Sequence, residues 1–362
     1  MLQPIDKRFK IPSFLVLYLI SSVQIGVGVL GFQPFIFDAG NDGWIAVILA
    51  GLMVHMVIWV IYTLLNKGQR DLIDIHKYVF GKWLGHTMDV LTLFYFLFTS
   101  IVVLRSYIEI VQVWVFNDME TWSFALVFML LTYYIVMGGF RTVTGICFFS
   151  LVLPSYLMFT FLYPIEFARW ENLLPILETD IMPLFKASLN MTLSYLGFST
   201  LLIFYPFIEE GQKSQKWAHL GTFITTTVYV FIEIISITYY SKLQLKEVNW
   251  PTLGLWKIVE LPFVERFEYI GISSWLIVIL PNIALMMWTA SRIAKRVSGF
   301  KQKYLLVILL IFLFIGCNFF DTREQINQLS NAVANFGKYF VFGYIPLLLV
   351  LQTIIGKVRK GV

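Results

Sequence analysis

The feature that most limits how this chain can fold is a succession of ten apolar runs separated by short polar stretches, at residues 11–37, 44–65, 84–116, 122–138, 142–165, 186–208, 217–241, 268–293, 304–317 and 337–356. About 20 apolar residues in a helix cross the roughly 30 Å of a bilayer's hydrocarbon. Inside that hydrocarbon only helices and closed barrels satisfy their own backbone. Of the 362 residues, 58% are hydrophobic and 14% charged, too little charge to coat a water-soluble globule of this size. The predicted fold is therefore an all-α integral membrane protein of about ten spans, forming a single transmembrane domain over residues 1–362. The run from Ile11 to Phe37 is too long for a signal-peptide core and is read as a retained first span. The ninth run is short, bounded by Lys303 and Asn318.

With the amino terminus placed in the cytoplasm, eighteen Lys and Arg fall on inner segments, among them Lys7, Arg70, Arg141, Arg296 and Lys360. Eight fall outside: Arg169, Lys186, Lys242, Lys246, Lys257, Arg266, Arg323 and Lys338. That bias obeys the positive-inside rule and predicts that both termini are cytoplasmic. The net charge of +5 thus reports topology, and no nucleic-acid partner is expected. Two outer loops, 166–185 and 242–267, are long and mixed in character, so they are expected to pack on the outer surface. Cys147 and Cys317 are the only cysteines, and no CxxC or Cys/His cluster accompanies them, so neither a disulfide scaffold nor a metal site is expected. No nucleophile with a base partner and no P-loop is present, so the chain does not read as an enzyme and implies no cofactor.

The first run carries Gly26-Val27-Gly28, Gly31 and Pro34 near its middle; the sixth carries Ser194-Tyr195-Leu196-Gly197-Phe198-Ser199 and then Pro206. Glycine lowers the cost of leaving helical geometry and proline removes a donor. Ten runs divide into five and five, about 11–165 and 186–356, and the first helix of each half is interrupted. Paired interruptions of this kind point to an inverted-repeat transporter fold with its ligand at the breaks, where half-helix amino termini attract an anionic group such as a carboxylate. Candidate ligand contacts are Gly26, Val27, Gly28, Leu196, Gly197 and Phe198. Tyr95 and Thr99, four residues apart on the third run, share one helix face. Pro281-Asn282 loosens the eighth run, and Asn282, with Met286 one turn on, needs a protein, water or ligand partner. Arg105 and Glu109 are charges within a span, Arg105 about 16 Å from its outer end; their i,i+4 spacing allows mutual neutralisation, and they read as structural or coupling residues. Glu233 and His55 are ionisable groups without an obvious partner in the sequence, Glu233 read as a buried acid and His55 as a satisfied interface histidine.

Divided this way, the chain resembles the B subunit of the nutrient germinant receptors of bacterial endospores, the GerAB-type family of the amino acid–polyamine–organocation superfamily. The residues that carry the resemblance are Gly26-Val27-Gly28, Gly43-Trp44-Ile45, Gly81-Lys82-Trp83-Leu84-Gly85, Arg105 with Glu109, Gly138-Gly139-Phe140, Leu173-Leu174-Pro175 and Tyr195-Leu196-Gly197. Trp250-Pro251-Thr252 and Phe263-Val264-Glu265-Arg266-Phe267-Glu268 complete the set and are its most specific members. The resemblance covers essentially the whole chain. It implies a leucine-transporter-like fold of five plus five helices and the sensing of a small nutrient, usually an amino acid. It also implies assembly with A-type and C-type receptor subunits in the spore inner membrane. Two departures lie near the expected pocket: Gln33 displaces the family's proline to Pro34, and Ser199 stands where relatives commonly carry an acid. The competing expectation is an ion-coupled amino-acid permease. Proton-coupled relatives often use a fifth-span lysine, which is missing from 142–164, and only Thr289 and Ser291 echo a sodium site.

Overall fold

In the computed structural model, residues 5–67, 71–262 and 264–360 are described; Arg70 and Phe263, used above, lie outside them. The described chain is helical, with no strand beyond the isolated bridges Ile11–Ile208 and Leu261–Val264. Its α-helices are α1 (Val16–Gln24), α2 (Gly43–Asn66), α3 (Leu72–Trp114), α4 (Thr121–Met137), α5 (Phe140–Val152) and α6 (Leu157–Thr160). After these come α7 (Ile181–Met191), α8 (Leu201–Phe204), α9 (Gln215–Tyr239), α10 (Lys242–Glu247) and α11 (Pro251–Trp256). The chain ends with α12 (Phe267–Ser298), α13 (Gln302–Phe319), α14 (Arg323–Lys338) and α15 (Ile345–Lys360).

Among the described residues, seven helical stretches are long and apolar enough to cross a membrane: Gln33–Asn66, Leu72–Trp114, Phe140–Phe167, Gly211–Tyr239, Phe267–Ser298, Gln302–Phe319 and Arg323–Arg359. Three are shorter: Ser13–Gln24 ahead of these, and Thr121–Met137 and Phe198–Phe207 between them. The protein is thus an all-helical, multi-pass membrane protein. Large apolar side chains such as Trp59, Leu130, Phe312 and Ile354 point away from the bundle, as a lipid-facing surface requires. Inside, α12 packs along α3, α4 and α5, while α1 and α2 pack against α9.

The structure redraws several boundaries. The third helix begins at Leu72 and bends at Gly81, so the predicted run 84–116 is only its second arm. The ninth spans Gln302–Phe319. The tenth begins at Arg323, fourteen residues before the predicted 337, and passes through a π-helical turn at Tyr339–Tyr344 into α15. Its first half, α14, is too polar to read as a span, yet it opens with a capping box between Thr322 and Gln325, a sequence signature of a helix start. Both long loops are docked as expected. Arg169 N–H donates to Thr238 O (2.8 Å), Asp42 accepts from Leu177 N (2.7 Å) and Thr179 N (2.9 Å), and α11 buries Leu253, Leu255 and Trp256.

Buried polar groups tie distant elements together. His55 is not isolated: its Nδ1 lies 2.8 Å from Nδ1 of His219 on α9. Arg296, near the end of α12, bridges Asp71 (2.6 Å) and Asp74 (2.8 Å) at the start of α3. Asp71 is buried, and desolvation pushes its carboxyl up to about 6 against the opposing pull of Arg296. Across the Gly81 bend, His76 Nδ1 meets Asp89 Oδ1 at 2.7 Å, and His76 Nε2 meets Tyr344 Oη at 2.9 Å. The His76 side chain is fully buried and Asp89 nearly so. Breaking a buried pair by removing one partner costs about 3–5 kcal/mol, whereas replacing both by apolar residues is often neutral. His76→Leu should therefore lower the thermal midpoint of the detergent-purified protein far more than the double change His76→Leu with Asp89→Leu. A double variant no more stable than the single one would show that the pair does not hold the bend.

Candidate ligand site at the two helix breaks

Helix α1 stops at Gln24. Ile25 is extended (φ −96°, ψ 96°), Gly26 adopts φ −142° and ψ −146°, and a short 3-10 turn follows at Val27–Leu30. The sixth run breaks in the same manner. α7 ends at Met191, a 3-10 turn covers Thr192–Tyr195, and Gly197 at φ +113° precedes the turn Phe198–Thr200. That backbone conformation is one L side chains rarely adopt, and a Cβ on Gly197 would lie 2.9 Å from Val23 Cβ. A Cβ on Gly28 would fall 3.1 Å from Ser194 Oγ, so the two breaks abut.

Carbonyls freed by an interruption need donors at membrane depth. Asn282 Nδ2 donates to Ser22 O (2.7 Å) and lies 3.3 Å from Ile25 O and 2.9 Å from Val278 O. Tyr229 Oη sits between Gln24 O (3.0 Å) and Ser194 O (3.2 Å), one carbonyl from each break. Trp275 Nε1 donates to Gly26 O (3.2 Å), and Thr252 Oγ1 to Val29 O (2.8 Å).

A cavity of about 320 Å³ opens beside the clamped backbone. Of the sequence-predicted contacts, Gly26, Val27, Gly28, Thr99, Leu196, Asn282 and Met286 line it. Tyr95, Gly197 and Phe198 do not. Tyr95 is buried in an aromatic cluster, with ring centroids 5.2 Å from Phe96, 5.5 Å from Phe336 and 5.3 Å from Phe340. Gly197 and Phe198 are buried at the turn that shapes the break. Asn282 reaches the cavity, but its NH2 group is committed to carbonyls of the first break and of its own helix.

Two further differences concern charge. Arg105 and Glu109 do not pair with each other, because stronger partners stand within reach of each. Arg105 caps the end of α13, donating from Nε to Phe320 O (2.7 Å) and from Nη2 to Asp321 O (2.9 Å). Glu109 instead binds Arg323 Nη1 at 2.6 Å. Arg323 is the one ionised side chain among the described lining residues of the cavity; its guanidinium lies 5.1 Å from the Trp250 ring centroid, and its buried Nε has no partner among the described residues. Asn327, Ser330 and Asn331 line the same wall, which is the polar face of α14. These residues fall at 318–336, between the predicted ninth and tenth spans, where the sequence carries no apolar run to mark a span.

Removing the Asn282 amide strands buried acceptors at about 1–3 kcal/mol each. Asn282→Ala should accordingly lower the unfolding midpoint of the purified protein with no ligand present; an unchanged midpoint would show that the amide does not hold the break.

The family model described as spore germination protein matches residues 10–326. The chain is 39% identical over 360 residues to the spore germination protein GerQB of Bacillus cereus, covering 99% of this chain and 100% of that one. It is 25% identical to the spore germination protein A2 of Bacillus subtilis strain 168, over 94% of this chain and 95% of that one. It is 24% identical to the B2 protein of the same strain, over 80% and 76% of the two chains. The chain belongs to the spore germination protein family.

Proposed function

We propose that this protein is the nutrient-sensing B-type subunit of an endospore germinant receptor, and that it binds a small solute of the amino-acid class in the cavity at the two breaks. The observation that carries the reading is the joining of both interruptions beside one cavity, through Gly28 against Ser194 and Tyr229 between Gln24 O and Ser194 O. Val23, Val27, Val102, Val103 and Ile326 offer it an apolar side, and Thr99, Ser106, Asn327, Ser330 and Asn331 a polar one. Such a lining suits a molecule with one charged and one apolar end. The free Nε–H of Arg323 is the natural partner for an acceptor such as a carboxylate.

In this reading the helices form two repeats, about 11–165 and 186–356, in the leucine-transporter manner, with both termini on the spore-core side of the inner membrane. A-type and C-type subunits complete the receptor. The nutrient acts by favouring one helix arrangement over another, which requires only differential affinity for two states. α14 is the element placed to report binding. It lines the cavity through Arg323 to Ser330, is tied to α3 by Arg323–Glu109, and continues through Tyr344 to His76 at the α3 bend. A permease reading finds little support at its usual sodium position, where Ser291 Oγ gives its proton to Trp288 O (2.9 Å) and turns its lone pairs to Gln302 Nε2 (3.0 Å).

Arg323→Lys keeps a cation beside Glu109 but removes the free Nε–H. Spores carrying it should need about tenfold more nutrient for half-maximal germination, the equivalent of about 1.4 kcal/mol, at normal protein level. Val333→Phe, which fills the cavity from α14, should shift the response in the same direction. An unchanged dose response in both variants would remove the nutrient from this cavity, and concentrative uptake of an amino acid by the protein in liposomes would favour the permease.

A further inference from the structure

Two side chains that stand out in the sequence have no part in the nutrient cavity. Gln33 occupies the place from which the family's proline is displaced, and Glu233 is a lone acid in the seventh run. Both line a second cavity, of about 660 Å³, bounded by residues of the loops 166–185 and 242–267. Gln33 is 2% exposed and Glu233 3%.

The orientation of Gln33 follows from its neighbours. Its Nε2 donates to Ser236 Oγ (3.0 Å) and Thr252 Oγ1 (2.9 Å). Each hydroxyl gives its own proton to a backbone carbonyl, Ser236 to Ile232 O (2.8 Å) and Thr252 to Val29 O (2.8 Å). Only lone pairs remain to face the amide, so the NH2 must point to the hydroxyls. Gln33 Oε1 is then left buried without a donor, and Glu233 Oε2 is in the same condition, among the described residues. Two more amides on this cavity repeat the pattern. Asn41 Nδ2 donates to Leu174 O (3.0 Å) and Asn172 Nδ2 to Ile237 O (3.1 Å), leaving their oxygens uncommitted.

The residues around this cavity therefore bring to it one buried carboxyl and three amide oxygens to which no donor is committed among the described residues. A proton on Glu233 would supply one hydrogen bond and leave the remaining acceptors unmatched. A hard cation satisfies several oxygens at once, and a single carboxylate balances the charge of a monovalent one. The other charged residues on this cavity, Arg169, Glu171 and Lys242, are exposed and belong to its loops. We propose that Gln33 and Glu233, with Asn41 and Asn172, form a binding site for a monovalent cation, either an alkali ion or an ammonium group, on the side of the membrane that the charge bias assigns to the exterior. Through Gln33, Thr252 and Val29 this site shares a wall with the nutrient cavity, where Gly31, Asn249 and Trp250 form the lining. An occupying cation thus fixes the turn that closes one side of the nutrient cavity.

The full-length protein in lipid nanodiscs, without nutrient, is titrated with sodium, potassium or ammonium chloride against N-methylglucamine chloride at constant ionic strength. Thermal unfolding and equilibrium binding of radiolabelled sodium and rubidium are read. The expected result is a saturable rise in midpoint with at least one of the three ions and saturable tracer binding, with both lost in Glu233→Gln and weakened in Asn172→Leu. Competition among the unlabelled salts distinguishes an alkali ion from ammonium. No saturable response to any ion, or an equal response in Glu233→Gln, overturns the proposal. If Glu233→Gln does not fold, Asn172→Leu and displacement of tracer from the wild type decide. Nutrient is absent throughout, so failure here leaves the reading of the first cavity untouched.

Discussion

Everything in this structure is subordinate to the treatment of backbone that has left the helix inside a membrane. Each carbonyl stranded by the break after Gln24 would be costly in hydrocarbon, and the donors that relieve it come from remote parts of the chain: Asn282 and Trp275 on α12, Tyr229 on α9 and Thr252 on α11. A break can persist only where those three elements are already held against it. The cavity is the space left when the clamps are in place, and its position is set by the backbone's hydrogen-bonding needs before any ligand is considered. Tyr229 matters most, since a single hydroxyl placed between Gln24 O and Ser194 O makes the geometry of one break depend on the other.

The charged residues obey the same rule at the edge of the hydrocarbon. Arg105 is well buried, and its guanidinium is matched to the carbonyls of Phe320 and Asp321, which α13 leaves behind at its end. Glu109, one turn further along α3, holds Arg323 at the start of α14. Two adjacent charges on one helix therefore fasten the two sides of a single junction, and the polar face of α14 is delivered to the cavity as a consequence. A salt bridge between Arg105 and Glu109 would have neutralised both and positioned nothing.

What could be read from the sequence follows from which signals are local. The apolar runs and the glycines at 26, 28 and 197 report on their own immediate backbone, and both interruptions appear where they indicate, although the third and tenth helices begin earlier than their apolar runs. The partners of Arg105 and Glu109 could not be read, because they lie more than two hundred residues away and compete successfully with the near neighbour. Tyr95 shares a helix face with Thr99, yet one turn of helix suffices to move it from the cavity wall into packing with Phe336 and Phe340. α14 gives no span signal because its cavity-facing side carries Asn327, Ser330 and Asn331, and only the Thr322–Gln325 capping box marks its start.

The two cavities bear on how sensing differs from transport. A cation held by Glu233 and Gln33 would not by itself make the chain a transporter, because coupling is a difference in nutrient affinity between the occupied and empty states and is reciprocal. In the observed arrangement Gln33 braces Thr252, and Thr252 braces Val29, so the segment that closes the nutrient cavity from one side is held in place by the second cavity's polar wall. Filling either cavity restrains the same short stretch of chain. If both proposed sites are occupied, each ligand would lower the ordering cost met by the other, and the nutrient response would acquire a dependence on external ions with no ion or nutrient having to cross the membrane. Gln33 sits on that shared wall, where a proline could neither donate to Ser236 and Thr252 nor present an oxygen to the second cavity.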